Sequence, residues 1–209
     1  MEMGLRAEKM VGDATKSLIQ MDESLARQVV EADDMLDKIE LEVQSTSLVI
    51  IARESPVARD VRFIGAALSV SSELERVGDD AVSIAKKTIT MPSDFPREYA
   101  DDIQEISDKA RAMLVNALRA FSDDNQNLLD AVIASDSEVD AIWKRVRRRL
   151  KEDIKANPDF LETGFKLINA CHHLEYVGDH AVSIAERLEF VRTGNIVRFN
   201  RAEFMPPNL

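Results

Sequence analysis

The sequence has few of the residues that interrupt helices or cross-link small domains. Its 209 residues include seven glycines, six prolines and one cysteine, and aromatic residues make up 5%. A many-stranded β fold is excluded because its turns would need more glycine and proline than this. A single cysteine excludes an intrachain disulfide and is in keeping with a reducing, cytoplasmic location.

The sequence also lacks long apolar runs and an excess of positive charge. No stretch approaches 18 uncharged apolar residues, so no membrane span is predicted, and "MEMGLRAEKM" has no signal-peptide core. The formal net charge is −11. Because phosphate backbones bind cationic surfaces, nucleic acid is not expected as a partner. This charge suits a bound cation, a basic protein surface or solubility alone.

The residues that dominate are alanine, leucine and charged residues, which favour helix. The pattern predicts an N-cap at Asp22 or Ser24, Pro56 in the first turn of a helix, a linker at "TMPSDFPRE" and a C-terminal stop at Gly194. The first helical pattern is already under way at residue 2, which leaves room for a missing turn or two. Six helices are therefore predicted, over about 2–20, 24–53, 56–89, 97–121, 125–155 and from Pro158 to about 193.

The two halves of the sequence repeat each other. "LERVGDDAVSIA" (residues 74–85) returns as "LEYVGDHAVSIA" (residues 174–185), with ten of twelve positions identical. "VVEADDMLDKIE" aligns in the same way with "VIASDSEVDAIW". We therefore expect an all-α fold of two tandem, pseudo-symmetric three-helix bundles, with domains at 1–92 and 93–194 and an irregular tail at 195–209.

Acidic residues recur beside the predicted core stripe of the third helix. With Leu74 at zero on a helical wheel, Glu75 lies at about 100° and Asp79 at about 140°. Both carboxylates therefore lie on the shoulder of the stripe rather than on the opposite, solvated face. The stripe itself comprises Val77, Gly78, Ala81, Ile84 and Ala85, and the two glycines, Gly78 and Gly178, indicate close packing.

Three more pairs of acids, four residues apart, occupy equivalent shoulders. They are Asp33 and Asp37, Asp136 and Asp140, and Glu175 and Asp179. Like charges at this spacing destabilise an isolated helix by a few tenths of a kcal/mol, on the order of a surface ion pair. Facing pairs would form an all-oxygen site for a hard or borderline cation. The alternative is an acidic seam that is hydrated or paired with arginine.

Four segments resemble the PhoU family of phosphate-signalling proteins. They are "ELERVGDDAVSIAKK", "HLEYVGDHAVSIAER", "PVARDVRFIGAAL" and "VVEADDMLDKIE". The resemblance covers nearly the whole chain and implies a pair of three-helix bundles. It also implies multinuclear metal clusters, reported with iron, zinc and other ions. Their ligands here would be Asp33, Asp37, Glu75 and Asp79 in one bundle, and Asp136, Asp140, Glu175 and Asp179 in the other. Where the family often has an asparagine after each motif, this chain has the shorter Ser83 and Ser183.

The resemblance implies a regulatory role rather than catalysis. Family members restrain phosphate uptake and phosphate-starvation signalling by contacting the ATPase of the phosphate ABC transporter and a membrane sensor histidine kinase. A cytoplasmic homodimer, peripheral to the membrane at most, would follow. The alternative is a helical interaction module of a different transporter or regulator, whose acids bind no metal. A di-iron enzyme is disfavoured because no histidine follows a carboxylate by three residues.

Two further segments have possible roles. "WKRVRRRLK" is the one strongly basic run, and its Arg145, Arg147, Arg148 and Arg149 could dock an acidic partner or a membrane surface, although such runs are usually solvated faces. In "CHHLE", His172 could add a nitrogen ligand to the nearby acids. Cys171 is expected to be a small core residue.

Overall fold

The structure, a computed structural model, describes residues 1–92 and 94–199, and these contain six α-helices and no strand. The helices are α1 (Glu2–Gln20), α2 (Glu23–Glu54), α3 (Arg59–Ile89), α4 (Ala100–Asp123), α5 (Gln126–Ala156) and α6 (Leu161–Thr193). Short 3-10 turns, Arg97–Tyr99 and Pro158–Phe160, precede α4 and α6. The predicted all-α class and helix count are confirmed. No helix in these ranges is both long and apolar enough to cross a membrane.

The helix ends follow local side-chain chemistry. The Asp22 carboxylate accepts a hydrogen bond from the Leu25 amide at 2.9 Å, which confirms Asp22 as the N-cap of α2. Asn125 caps α5 in the same way. Gly194 ends α6 with φ 78°, a left-handed conformation that glycine adopts without steric cost.

One predicted helix start is wrong. Pro56 was expected in the first turn of the third helix, but α3 begins at Arg59. Ser55 and Ala58 on either side of the proline have positive φ angles of 48° and 49°, so the chain makes a sharp break before the helix begins. The segment between these two residues with positive φ therefore includes the residues predicted for the first turn of the helix.

The helices of each half contact one another, and the two halves also pack together. The flanking helices are α2, which packs on α1 and α3, and α5, which packs on α4 and α6. Between them α1, α3, α6 and α4 form a four-helix ring, with α1 against α4 and α3 against α6. One hydrophobic cluster runs through both halves. The division into domains at 92/93 stays a prediction, because the halves share this core.

The first residues after α6 lie against that helix. Glu186 is 4% exposed and accepts hydrogen bonds from Arg198 and from the backbone amide of Phe199, at 2.8 and 2.9 Å. Residues 195–199 form no helix or strand, as expected for the start of an irregular tail. The rest of the predicted tail, 200–209, lies outside the described residues.

Candidate metal centres

Helices α2 and α3 bring four of the predicted acidic residues together. We call Asp33, Asp37, Glu75 and Asp79 the first acidic cluster. Burial raises the pKa of Asp33, and the neighbouring carboxylates of Asp79 and Asp37 raise it further. Burial also raises the pKa of Glu75, with added repulsion from Asp79, Glu40 and Asp37. The cluster is therefore partly withdrawn from water and repels itself.

A glycine makes room for the first cluster. A Cβ at Gly78 would lie 3.0 Å from Oδ1 of Asp33 and 3.6 Å from Leu36. The close approach predicted at this glycine therefore comes from side chains of α2, including a carboxylate. At the equivalent Gly178, the nearest atoms belong to Val139 and Met113, at 3.6 and 3.7 Å. The two glycines are thus alike in position but only Gly78 faces a carboxylate.

Helices α5 and α6 bring the other four together. We call Asp136, Asp140, Glu175 and Asp179 the second acidic cluster. Burial raises the pKa of Glu175 to about 7, and the carboxylates of Asp179, Asp140 and Asp136 add to the shift. Its Oε2 atom is buried without a hydrogen bond. Lys144 compensates part of the charge, with its Nζ 2.7 Å from Oδ2 of Asp140.

The donor chemistry of both clusters fits a metal ion. Carboxylate oxygens suit hard or borderline cations, and the buried Oε2 of Glu175 has no hydrogen bond that would stabilise its charge. Among residues 1–92 and 94–199, however, no three His, Cys, Asp or Glu side chains are already arranged to hold an ion. The carboxylates would have to turn towards a common point on binding. The metal assignment therefore stays a prediction.

A second set of titratable groups, outside the predicted acidic pairs, joins the repeats. Oδ1 of Asp80 on α3 accepts a hydrogen bond from Nδ1 of His173 on α6, at 2.7 Å. Oε2 of Glu73 on α3 accepts one from Nδ1 of His180 on α6, also at 2.7 Å. His180 Nε2 lies 3.4 Å from Oδ2 of Asp80, close enough for an ion pair but not aligned as a hydrogen bond. We call these four residues the inter-repeat network.

The charges of this network reinforce one another. Burial alone would lower the pKa of His180, but the carboxylates of Asp80 and Glu73 raise it to about 9. Burial alone would raise the pKa of Asp80, yet the hydrogen bond from His173 and the nearby positive charge of His180 hold it below its ordinary value. The same balance lowers the pKa of Glu73, through His180. At neutral pH, an imidazolium therefore lies between two carboxylates across the α3–α6 interface.

The sequence carries a signal for this network in the few positions at which the two repeats differ. The doubled stretch differs at two positions only, and one of them is Asp80 against His180. The residue just before the stretch differs in the same sense, Glu73 against His173. Both acids of the network, Glu73 and Asp80, thus align with histidines of the second repeat. Replacing an acid in one repeat by a histidine in the other allows the two repeats to attract each other where these helices meet.

The inter-repeat network borders a cleft of about 530 Å³ between α3 and α6. Asp79 and Asp179 line it too, so each acidic cluster contributes one carboxylate to the cleft. Arg76 and Tyr176, which occupy the other non-identical position of the repeated sequence, also line the cleft. The cleft is further lined by Glu73, Asp80, His180, Ser183, Arg187 and Arg198. It connects the two clusters through a surface of mixed charge.

The remaining candidates divide by their contacts. His172 stacks between Trp143 and Tyr176, with ring centroids at 5.1 and 4.2 Å, and its Nε2 is 3.7 Å from Oε2 of Glu175. It borders the second cluster, and the assignment as a ligand stays untested. Cys171 is fully buried, which confirms it as a core residue.

Two of the four arginines predicted for partner docking are engaged within the chain. Arg145 pairs with Asp102 and Glu105 at 2.9 and 2.6 Å. Arg149 pairs with Asp102 at 3.2 Å and lies over the ring of Tyr99. Both side chains fasten α5 to α4. The other two, Arg147 and Arg148, are exposed.

Comparison with known sequences identifies relatives along most of the chain. Residues 1–88 and 103–188 match the family described as PhoU domain. A protein of Rhizobium meliloti (strain 1021), named phosphate-specific transport system accessory protein PhoU homolog, is 31% identical over 194 residues. The match covers 92% of this chain and 82% of the relative. A protein of the same name from Pseudomonas aeruginosa is 33% identical over 198 residues, or 94% of this chain and 81% of the relative.

Solved structures show the same fold. The crystal structure of PhoU from Pseudomonas aeruginosa matches with a TM-score of 0.88 at 33% identity, covering 93% of both chains. The phosphate transport system regulatory protein PhoU from Streptococcus pneumoniae matches with a TM-score of 0.85. That match covers 95% of this chain and 93% of the other, and at 22% identity it speaks for the fold alone.

Proposed function

The chain belongs to the PhoU family, and from this membership we propose that it is an accessory protein of phosphate transport that restrains phosphate uptake and phosphate-starvation signalling. The names of the relatives describe accessory proteins of a transport system, in line with a non-enzymatic role. The partners we propose are the ATPase subunit of the phosphate ABC transporter and a sensor histidine kinase, met at the cytoplasmic face of the membrane. A homodimer is part of the same proposal.

Metal binding at the two acidic clusters is the second part of the proposal. It is supported by the raised pKa of Glu175 and by the buried Oε2 atom of that residue, which has no hydrogen bond. A bound cation would favour the ionised form of Glu175, which burial and the neighbouring carboxylates disfavour. The proposed ligands are Asp33, Asp37, Glu75 and Asp79 in the first cluster and Asp136, Asp140, Glu175 and Asp179 in the second. Iron and zinc are the proposed ions.

Through the cleft, one carboxylate of each acidic cluster is accessible to a partner protein. Asp79 and Asp179 are both exposed, and both line the cleft between α3 and α6. When these carboxylates are neutralised, the surface offered to a partner becomes less acidic. The chain itself positions the two carboxylates by placing each on a helix that also carries the inter-repeat network. We propose that partner binding is therefore sensitive to metal.

Binding measurements with the proposed partners test this function. The transporter ATPase and the cytoplasmic part of the kinase, from the same organism, are titrated with the wild-type protein before and after metal removal. The wild type is expected to bind at least one partner, more tightly with metal, and Asp79→Asn with Asp179→Asn is expected to remove the difference. If the affinity is the same with and without metal, and the same for the double variant, the chain is a helical interaction module whose acids bind no metal. No binding to either partner would overturn the proposed role.

A further inference from the structure

The outer side of α5 carries a continuous basic surface. We call Lys144, Arg147, Arg148, Lys151 and Lys155 the basic face. At 100° per residue these five positions fall within a sector of about 100°, centred away from the buried Val139, Val146 and Leu150. They extend along the helix for about 16 Å. Together with Glu152, the one carboxylate among them, they line a single shallow depression.

The cations of this face are largely uncommitted. All five side chains are exposed. Lys144 pairs with Asp140, whereas Arg147 lies over the Trp143 ring at 5.7 Å and keeps its charge free. Arg148, Lys151 and Lys155 have no ion pair with any carboxylate in the described part of the chain. This distinguishes the basic face from Arg145 and Arg149, which point to α4.

The first repeat provides an internal comparison. When Asp33 is aligned with Asp136, the five positions of the basic face correspond to uncharged residues on the outer side of α2. These are Leu41, Gln44, Ser45, Leu48 and Ala52. The fold therefore does not require charge at these positions, and duplication has not simply copied it. The basic face is a property of the second repeat alone, in a chain whose net charge is −11.

The composition of the face identifies the kind of surface it fits. Interfaces between folded proteins bury apolar or aromatic anchors at their centre. In the described part of α5, no large hydrophobic side chain is exposed, and Trp143 is 7% exposed beneath Arg147. A helix surface with exposed cations but no exposed apolar side chain suits a surface that carries negative charge everywhere and offers no pocket for such a side chain. Clusters of four to eight lysines and arginines on one helix bind anionic lipid in this way.

We propose that the basic face of α5 docks the protein on the anionic surface of a lipid bilayer. The acidic remainder of the chain is repelled by the same surface, so the protein has one preferred orientation, with α5 towards the lipid. Contact relies on charge, because the face has no apolar residue to insert. Binding is therefore reversible and weakens steeply with salt. The proposal does not depend on the function proposed above.

Vesicle sedimentation tests the proposal with the full chain alone. Vesicles of phosphatidylcholine, and of equimolar phosphatidylcholine and phosphatidylglycerol, are titrated at low and at physiological ionic strength. The wild type is expected to bind only the anionic vesicles, and less at the higher salt. Arg147→Gln, Arg148→Gln, Lys151→Gln and Lys155→Gln together should weaken binding by about tenfold or more, since each charge near the surface contributes favourably.

Two controls separate the face from total charge and from side-chain type. The first removes four exposed cations elsewhere, with Lys16→Gln, Lys38→Gln, Arg53→Gln and Arg119→Gln, and should leave vesicle binding close to wild type. The second, Arg147→Lys with Arg148→Lys, should bind as the wild type does, because lipid docking needs only the charge.

Several results would overturn the lipid proposal. The first is binding of the wild type to uncharged vesicles as tight as to anionic vesicles. The second is an equal loss of binding in the quadruple variant of the basic face and in its control. The third is no binding of the wild type to anionic vesicles at low salt. Polyglutamate serves as a soluble acidic competitor. If the wild type binds polyglutamate through the basic face but not the vesicles, the face is a docking site for an acidic protein instead.

Discussion

At Glu175, the ionised carboxylate that a metal ion would need opposes folding when no metal is bound. A raised carboxyl pKa in the folded chain means that the folded state holds the proton more tightly than the unfolded state. The resulting stability is present below pH 4.5 and is lost as the pH rises through about 7. At neutral pH, the metal-free protein therefore carries a buried charge that opposes folding.

Glu175→Gln should stabilise the metal-free protein above pH 7, by about 1 to 3 kcal/mol in the free energy of unfolding. The amide removes the buried charge, and its advantage should shrink as the pH falls and disappear below about pH 4.5, where the wild-type carboxyl becomes protonated in both states. Urea denaturation of chelator-treated protein at several pH values measures this. The exposed Glu152→Gln is the matched control and should change little. A variant no more stable than wild type at pH 8 would contradict the account.

Cys171 should be unreactive in the native protein. It is fully buried, and burial raises the pKa of its thiol to about 12, so almost no thiolate is present at neutral pH. A chromogenic disulfide reagent should label native protein slowly and urea-unfolded protein at once. Native labelling as fast as unfolded labelling would mean that α6 is not packed as described.

At the scale of the element, substitutions at the two matched glycines should differ in their effects. Gly178→Ala meets only ordinary contacts, so the better helix propensity of alanine should stabilise α6 by up to about 1 kcal/mol. Gly78→Ala brings its Cβ to 3.0 Å from the Asp33 carboxylate, which must move aside. Its stability gain should be smaller, and the first acidic cluster should lose metal affinity. Thermal melts and metal titration of both variants test this, and identical behaviour would refute it.

The α3–α6 interface should weaken in alkaline solution. A histidine pKa raised by Asp80 and Glu73 gives stability that is complete below about pH 6.5 and is lost as the pH rises through about 9. In metal-free protein, His180→Gln should reduce this loss, because the amide does not titrate. Chemical denaturation at pH 6.5 and pH 9.5 compares the two proteins. If both lose the same free energy of unfolding, the imidazolium is not what joins the repeats.

Sequence periodicity predicted the elements better than their contacts. The acids at Asp33 and Glu75 could be placed on the shoulders of their helices because each helical wheel needs only local spacing. Periodicity alone does not predict the pairing of Asp80 with His173, since that pairing depends on which helices of the two repeats meet. The periodic pattern did not predict the start of α3, because the positive φ angles of Ser55 and Ala58 leave no periodic signal in the sequence.

At the scale of the whole molecule, the repeats have kept some features and exchanged others. Both repeats carry the carboxylates of the acidic clusters. At the interface of α3 and α6, the first repeat has acids where the second has histidines. If two copies of the first repeat packed together in the same way, Glu73 and Asp80 would face carboxylates instead of histidines. Attraction therefore favours pairing between unlike repeats. One hydrophobic core through both halves is the structural result.

The measurement that tests the central claim most directly is the metal content of the purified protein. The wild type and the variant with Asp79→Asn and Asp179→Asn are loaded with iron, zinc, manganese or magnesium, passed through gel filtration and analysed for bound metal. We expect the wild type to retain metal and the variant to lose it, because each cluster lacks one carboxylate. If the wild type retains none of these ions, the duplicated acids are not metal centres.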